Sequence, residues 1–166
     1  MADKQKVKKL AAFFGIFLGV IGLYYATVLY MNEELFEPYI NFNAFLSGKL
    51  ISLFAGDVNI IGNIISTKDI TIILSFGCEG SEALVIFLAG VLGFPSPWKY
   101  KLKGVLIGGS ILYFLNLIRI LILYFIGKMD FSVFDLFHNE ILPVVFIILS
   151  IITWAIWLRR LPPQNA

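Results

Sequence analysis

Four long runs of apolar residues divide the chain, at about residues 10–30, 80–95, 104–126 and 141–158. An α-helix needs about 20 apolar residues to cross the hydrocarbon core of a bilayer, and about 17 is the lower limit. The pattern therefore predicts a mainly α-helical integral membrane protein with four transmembrane helices. We expect residues 1–166 to form a single membrane domain.

The first apolar run has two interpretations. Its basic start, which contains Lys4, Lys6, Lys8 and Lys9, is also typical of a cleaved signal peptide. Its length and its closing tyrosines favour a retained span, because aromatic residues concentrate where a helix leaves the hydrocarbon. It also lacks a small-x-small cleavage site. We therefore predict a first transmembrane helix that ends near Tyr24, Tyr25 and Tyr30.

Residues 31–77 follow a different pattern, and we expect them to form a segment at the outer face. From Pro38 onward apolar residues recur at three- and four-residue spacing, which predicts an amphipathic helix at the membrane surface that ends at Gly56-Asp57. Its predicted apolar positions are Phe42, Phe45, Leu46, Leu50 and Leu53, with Asn41, Asn43, Ser47 and Ser52 on other faces. Residues 58–76 are rich in isoleucine and interrupted by turn signals, which predicts a small β element of two or three short strands.

The charges orient the predicted spans. Nine of the thirteen lysines and arginines lie in residues 1–9, 98–103 and 159–160, and alternating spans bring these segments to one side. The positive-inside rule makes that side cytoplasmic. Ten of the eleven acidic residues lie on the other side or at its boundary. We therefore predict a multi-pass protein of the cell (inner) membrane with both termini cytoplasmic.

Composition supports this class and limits the chemistry. The chain is 59% hydrophobic and 14% charged, whereas soluble domains are about a quarter charged. A single cysteine excludes an internal disulfide and makes a cysteine-built zinc site very unfavourable. We expect no metal, no cofactor and no nucleic-acid partner.

Three residues become neighbours under this topology. Cys78 opens the second span, Arg119 lies about two turns before the outer end of the third, and His138 precedes the fourth. A helix N-terminus favours a thiolate, and a nearby histidine can take the thiol proton and return it to a leaving amine. A guanidinium can stabilise the oxyanion of a tetrahedral intermediate. The set predicts a catalytic cysteine site for acyl transfer.

Each of these residues also has a simpler interpretation. A lone cysteine is usually a small buried hydrophobe, and a lone histidine in a loop is usually a surface residue. Arg119 could extend to the headgroups, although a charged residue inside a span is by default functional. Asn116, one turn earlier, extends a polar line through the third span. Glu82 shares a helical face with Cys78 and could pair with Arg119 or serve only as an interfacial carboxylate, whereas Glu79 is expected to face solvent or headgroups.

At these residues the chain resembles the exosortase/archaeosortase family of membrane cysteine transpeptidases. That family's pattern is a Cys-x-Gly at the outer end of a span, an Asn-x-x-Arg-Ile in a later span and a single histidine after it. Here the pattern is matched by Cys78-Glu79-Gly80, by Asn116-Leu117-Ile118-Arg119-Ile120 and by His138. The resemblance covers about residues 55–145. Larger family members have more spans, so this chain would be a compact member.

The resemblance implies an enzyme that processes exported proteins carrying a C-terminal tail of a short motif, a transmembrane helix and a basic end. It would transfer the new C-terminus to a membrane lipid or surface acceptor. It also implies catalytic roles for Cys78, Arg119 and His138, and Gly80 would allow close approach of a substrate backbone. Two alternatives remain, a non-enzymatic subunit or chaperone of an export or assembly complex and, more weakly supported, a small transporter.

Overall fold

The computed structural model describes residues 2–30, 36–75, 77 and 80–162. The described chain is mainly α-helical, as predicted. Cys78 and Glu79 lie outside the described residues. The helices are α1 (Ala2–Tyr30), α2 (Glu37–Ala55), α3 (Ser81–Gly93), α4 (Trp98–Lys103), α5 (Gly109–Met129), α6 (Phe131–Leu136) and α7 (Leu142–Arg159).

Three helical stretches among the described residues are long and apolar enough to cross a membrane: Lys4–Tyr30, Trp98–Met129 and Phe131–Arg159. The last two begin earlier than the predicted spans. The predicted loops around Trp98 and Phe131 are themselves helical, as α4 and α6, and run into α5 and α7 through two π-helical turns, Gly104–Gly108 and Phe137–Ile141.

The predicted second span is a shorter helix than expected. Helix α3 has 13 residues, which corresponds to about 20 Å at 1.5 Å per residue and is less than the roughly 30 Å hydrocarbon core. Gly80 precedes it in a left-handed conformation, and Phe94 is extended because Pro95 follows. Backbone restrictions at both ends therefore limit its length.

The prediction of two or three short strands is confirmed. Three strands form an antiparallel sheet in the order β1-β2-β3: β1 (Val58–Ile61), β2 (Ile64–Thr67) and β3 (Thr71–Ile73). A two-residue turn at Gly62-Asn63 joins β1 to β2, and Lys68-Asp69 joins β2 to β3. Strand β3 leads directly toward Gly77, so the sheet positions the segment that precedes α3.

Helix α2 is present where the sequence predicts it, and it ends at Gly56 as expected. Its faces are used differently from the expected pattern. The small and polar positions Asn43 and Ser47 are almost fully buried, whereas Phe42 and Leu53 are exposed by 54% and 75%. Small side chains allow α2 to approach the sheet closely, since a Cβ on Gly48 would meet the side chain of Ile60. The aromatic and leucine side chains are left on the outside.

The helices pack around two apolar clusters that flank the middle of α5. One cluster joins α2, the sheet and α5 through Ile51, Ile65 and Tyr124. The other joins α3, α5 and α7 through Phe87 and Leu112. Asn116 and Arg119 lie on α5 between these clusters, and both are buried. The packing of α5 on both sides therefore keeps its polar residues away from the surface.

Candidate active site

A cavity of about 240 Å³ lies where the segment before α3, the middle of α5 and the start of α7 meet. Four of its lining residues were selected from the sequence as candidates: Gly80, Glu82, Arg119 and His138. The remaining lining residues are Gly77, Ala83, Asn139, Pro143, Phe146 and Ile147. A small cavity with both charged and apolar lining residues thus forms between these helices.

Arg119 supplies a buried positive charge to this cavity. It is 5% exposed, and its Cζ atom lies 5.5 Å from the centre of the Phe146 ring on α7. This distance is within the range of a cation–π interaction, which positions a guanidinium without neutralising it. Arg119 lies three residues after Asn116 on the same helical face, so the predicted polar line on α5 is present in the structure.

His138 reaches the cavity from the opposite side, on the π-helical turn Phe137–Ile141. Such turns insert one additional residue into a helix and are frequent at functional sites. The imidazole is half-buried and stacks on Phe134 with a centroid distance of 5.3 Å and an interplanar angle of 7°. Asn139 donates a 2.7 Å hydrogen bond to the Asp135 carboxylate across the start of this turn. His138 therefore lies on a helix, whereas the sequence predicts a loop at this position.

Gly80 is fixed by Asn116. Its φ is +72°, a region that glycine adopts without steric cost. A Cβ at this position would come within 2.5 Å of the Asn116 Oδ1 atom. The protein's own Asn116 thus approaches Gly80 closely, and close approach of a substrate backbone to Gly80 remains a prediction. Asn116 is itself 2% exposed and packs against Gly80, the residue that precedes α3.

Two tyrosines of α1 contact the first turn of α3. The Tyr24 hydroxyl and the Ser81 Oγ atom are 2.6 Å apart, and the Tyr25 hydroxyl donates to the Glu82 carboxylate at 3.4 Å. Within the described part of the chain no ion pair joins Glu82 to Arg119, although both line the cavity. The sequence had indicated only an interfacial role for these tyrosines, and the residue separation of 57 explains why no local pattern revealed the contact.

The arrangement can stabilise a negative charge and move a proton. A buried guanidinium and an imidazole line the same cavity, and the N-terminus of α3, whose first N–H groups have no partner within the helix itself, lies beside it. Cys78 itself lies outside the described residues, but Gly77 and Gly80 on either side of the Cys78-Glu79 pair line the cavity. Among the described residues no group of three or more His, Cys, Asp or Glu side chains could hold a metal ion.

The fold and the cavity define the class of protein: an α-helical membrane protein with a partly open cavity lined by an arginine and a histidine. The sequence model of the transmembrane exosortase family (Exosortase_EpsH) matches residues 7–155. The chain therefore belongs to the transmembrane exosortase family, as its motifs indicated. No curated protein and no solved structure matches the chain.

Proposed function

We propose that this protein is a membrane-embedded cysteine transpeptidase or protease that cleaves the C-terminal sorting signal of exported proteins. The observation that carries the proposal is the cavity shared by Arg119, His138 and the two glycines that flank Cys78-Glu79. Gly77, which lines this cavity, immediately precedes Cys78 in the sequence, and the proposal assigns the Cys78 thiol to this cavity as the nucleophile. Membership of the exosortase family supports the same assignment.

In the proposed reaction the Cys78 sulfur attacks the carbonyl carbon of a peptide bond, and the thiol proton passes to His138. The new C–S bond converts the carbonyl oxygen into an oxyanion, which Arg119 and the N–H groups at the start of α3 stabilise. The C–N bond then breaks, and the proton on His138 passes to the leaving amine. Water or an acceptor amine attacks the resulting thioester, which releases the product and restores the thiol.

The proposed topology has four spans, with both termini in the cytoplasm and the cavity on the outer side. The three long helices and α3 supply these spans, and the lysines and arginines at 1–9, 98–103 and 159–160 supply the cytoplasmic charge. The shortness of α3 requires local thinning of the bilayer or coverage by its extended flanks. A substrate whose tail is a transmembrane helix with a basic end would enter with the same orientation.

The test compares wild type with three variants, Cys78→Ala, Arg119→Ala and His138→Ala, in cells lacking the endogenous enzyme. Mass spectrometry of the membrane fraction quantifies exported proteins that retain a short motif, an apolar helix and a basic end. We expect each variant to accumulate these tailed proteins while the enzyme itself is present at wild-type levels. The matched charge control is Lys49→Ala on the exposed side of α2, which should process normally.

Normal processing by Cys78→Ala would overturn the proposal. That result combined with loss of a co-purifying protein in Arg119→Ala would favour the alternative, a non-enzymatic subunit or chaperone of an export complex.

A second readout needs no substrate. Because Cys78 is the only cysteine, a membrane-impermeant maleimide reports on it alone. Labelling from outside should be slower in His138→Ala than in the wild type, since the thiolate is the reactive form.

A further inference from the structure

A second cavity, of about 270 Å³, lies along strand β3 next to the candidate active site. Its walls are the chain from Ile70 to Ser75 on one side and Phe131, Phe134 and His138 on the other. Ile120, Leu123 and Gly127 of α5 form its floor. His138 lines both cavities, so one end of this groove lies beside the site at which catalysis is proposed.

One wall of this groove is the edge of the sheet. The Leu74 N–H donates to the Asn63 carbonyl and the Thr67 N–H donates to the Ile70 carbonyl, so Ile70, Ile72 and Leu74 direct their backbone groups toward β2. Antiparallel pairing alternates, and the backbone groups of Thr71 and Ile73 therefore point away from β2. Strand β3 ends the sheet, and no hydrogen bond to these groups from another described residue is present.

The opposite wall is a row of rings on one face of α6 and the turn that follows. Phe131 and Phe134 are stacked with centroids 5.5 Å apart, and Phe134 is stacked in turn on His138. Gly127 allows α6 to lie close to α5, because a Cβ there would meet the Phe134 ring at 3.1 Å. The Lys128–Asp69 ion pair lies beside the Gly127 and Ile70 end of the groove, remote from His138.

Both walls run in the same direction. Strand β3 leads from Ile70 toward Gly77, and the ring row leads from Phe131 to His138, so each ends at the candidate active site. The strand wall of six residues is about 20 Å long at about 3.3 Å per residue, which fits an extended peptide of similar length. An unpaired strand edge readily accepts another strand, and an uncovered edge beside membrane helices is unfavourable.

We propose that this groove binds the substrate residues immediately before the scissile bond as an added strand on β3. The proposal rests on the proposed function, since it concerns recognition by the same site. The substrate strand runs parallel to β3, from the outer surface toward His138, and its transmembrane tail continues beyond the site. Its N–H and C=O groups pair with those of Thr71 and Ile73. Alternate apolar side chains of the substrate lie against Phe131 and Phe134.

The experiment uses Ile73→Pro, which removes one outward N–H without removing a bond to β2, as edge strands tolerate. The matched control is Val58→Pro, which removes an outward N–H at the first residue of β1, the opposite edge. The probe is a tailed exported protein that accumulates in Cys78→Ala cells, purified and offered to the enzyme in vesicles. We expect Ile73→Pro to lower kcat/KM by about tenfold, mainly through KM, because one hydrogen bond to the substrate is lost. Val58→Pro should match wild type.

Equal kcat/KM for the two proline variants would overturn the groove proposal, while the loss of processing in Cys78→Ala would still stand. Maleimide labelling of Cys78 checks that the site itself is intact in Ile73→Pro.

A second measurement does not depend on proline tolerance. A photo-crosslinking residue at position 73 in the Cys78→Ala protein should capture the tailed probe, whereas one at position 61 should not. Ile73 and Ile61 are comparably exposed, at 62% and 66%, on opposite strands. Crosslinking of position 73 only to a second copy of the enzyme would contradict the proposal.

Discussion

Gly80→Ala tests whether the contact between Gly80 and Asn116 sets the geometry of the site. Gly56→Ala is a demanding control, because φ is +72° at Gly80 and +73° at Gly56 but ψ is 16° at Gly80 and −116° at Gly56. The left-handed conformation at Gly80 costs an alanine about 1–2 kcal/mol. Gly56 lies outside the left-handed region, so backbone strain in Gly56→Ala is at least as large. The two sites differ in space. The added Cβ would lie 2.5 Å from Asn116 Oδ1 at position 80, whereas nothing lies within 4 Å at position 56.

The size of the effect follows from this overlap. Ordinary contact begins near 3.4 Å, so the start of α3 and Asn116 must separate by about 0.9 Å. Asn116 is 2% exposed and lies one turn before Arg119, so it cannot turn away into open space and the displacement reaches the cavity. A misplacement of about 1 Å in a catalytic site can lower the rate about a hundredfold. We expect that loss for Gly80→Ala and wild-type rates for Gly56→Ala.

The assay is the processing rate of a tailed exported protein in vesicles, together with Tm. Both variants should lose a few degrees, since 1 kcal/mol lowers Tm by about 2–4 °C in a chain of this length. Only Gly80→Ala should also process slowly. Equal processing rates in the two variants would refute the reasoning, because backbone strain alone would then account for every effect at Gly80.

Two further substitutions test the supports of the cavity. Phe146→Leu removes the ring that lies 5.5 Å from Arg119, an interaction worth about 0.5–2 kcal/mol. We expect this variant to lower kcat/KM by about 2- to 30-fold, whereas Phe146→Tyr should retain activity. Equal kcat/KM in the two variants would show that the ring does not position the guanidinium. Tyr24→Phe removes the hydrogen bond to Ser81 and should cost about 0.5–1.5 kcal/mol in thermal unfolding. Its control, Tyr30→Phe, alters a side chain that is 88% exposed and should leave Tm unchanged; a Tm unaffected by Tyr24→Phe would contradict a supporting role.

The sequence predicted the elements that depend on local pattern. Long apolar runs are helices, and isoleucine-rich segments between turn residues are strands, because burial and turn geometry act over a few residues. The helical stretches that contain the third and fourth predicted spans begin several residues before those spans do. The basic segment from Trp98 was expected to be a loop but forms α4, and Lys99, Lys101 and Lys103 do not prevent a helix from starting after Pro97.

Side-chain direction was harder to predict than helix position. Asn43 and Ser47 are polar, so they were assigned to a face apart from the apolar one, yet they are buried against the neighbouring elements. Small residues form the contact, because they allow helices and strands to approach closely, and Phe42 and Leu53 remain outside. The shape of the neighbouring elements, which the local pattern does not specify, decides which face is buried.

The position of His138 shows the same limit at the site itself. Topology alone indicated that His138 and Arg119 lie on one side of the membrane, and both line the cavity. The direction of the imidazole depends on the π-helical turn that contains His138. This turn has one more residue than an α-helical turn, so it rotates the later side chains of α7 relative to those of α6. Neither apolar spacing nor charge encodes that extra residue. His138 lines both cavities, and its stack on Phe134 joins the proposed proton-transfer group to the ring wall of the proposed peptide groove.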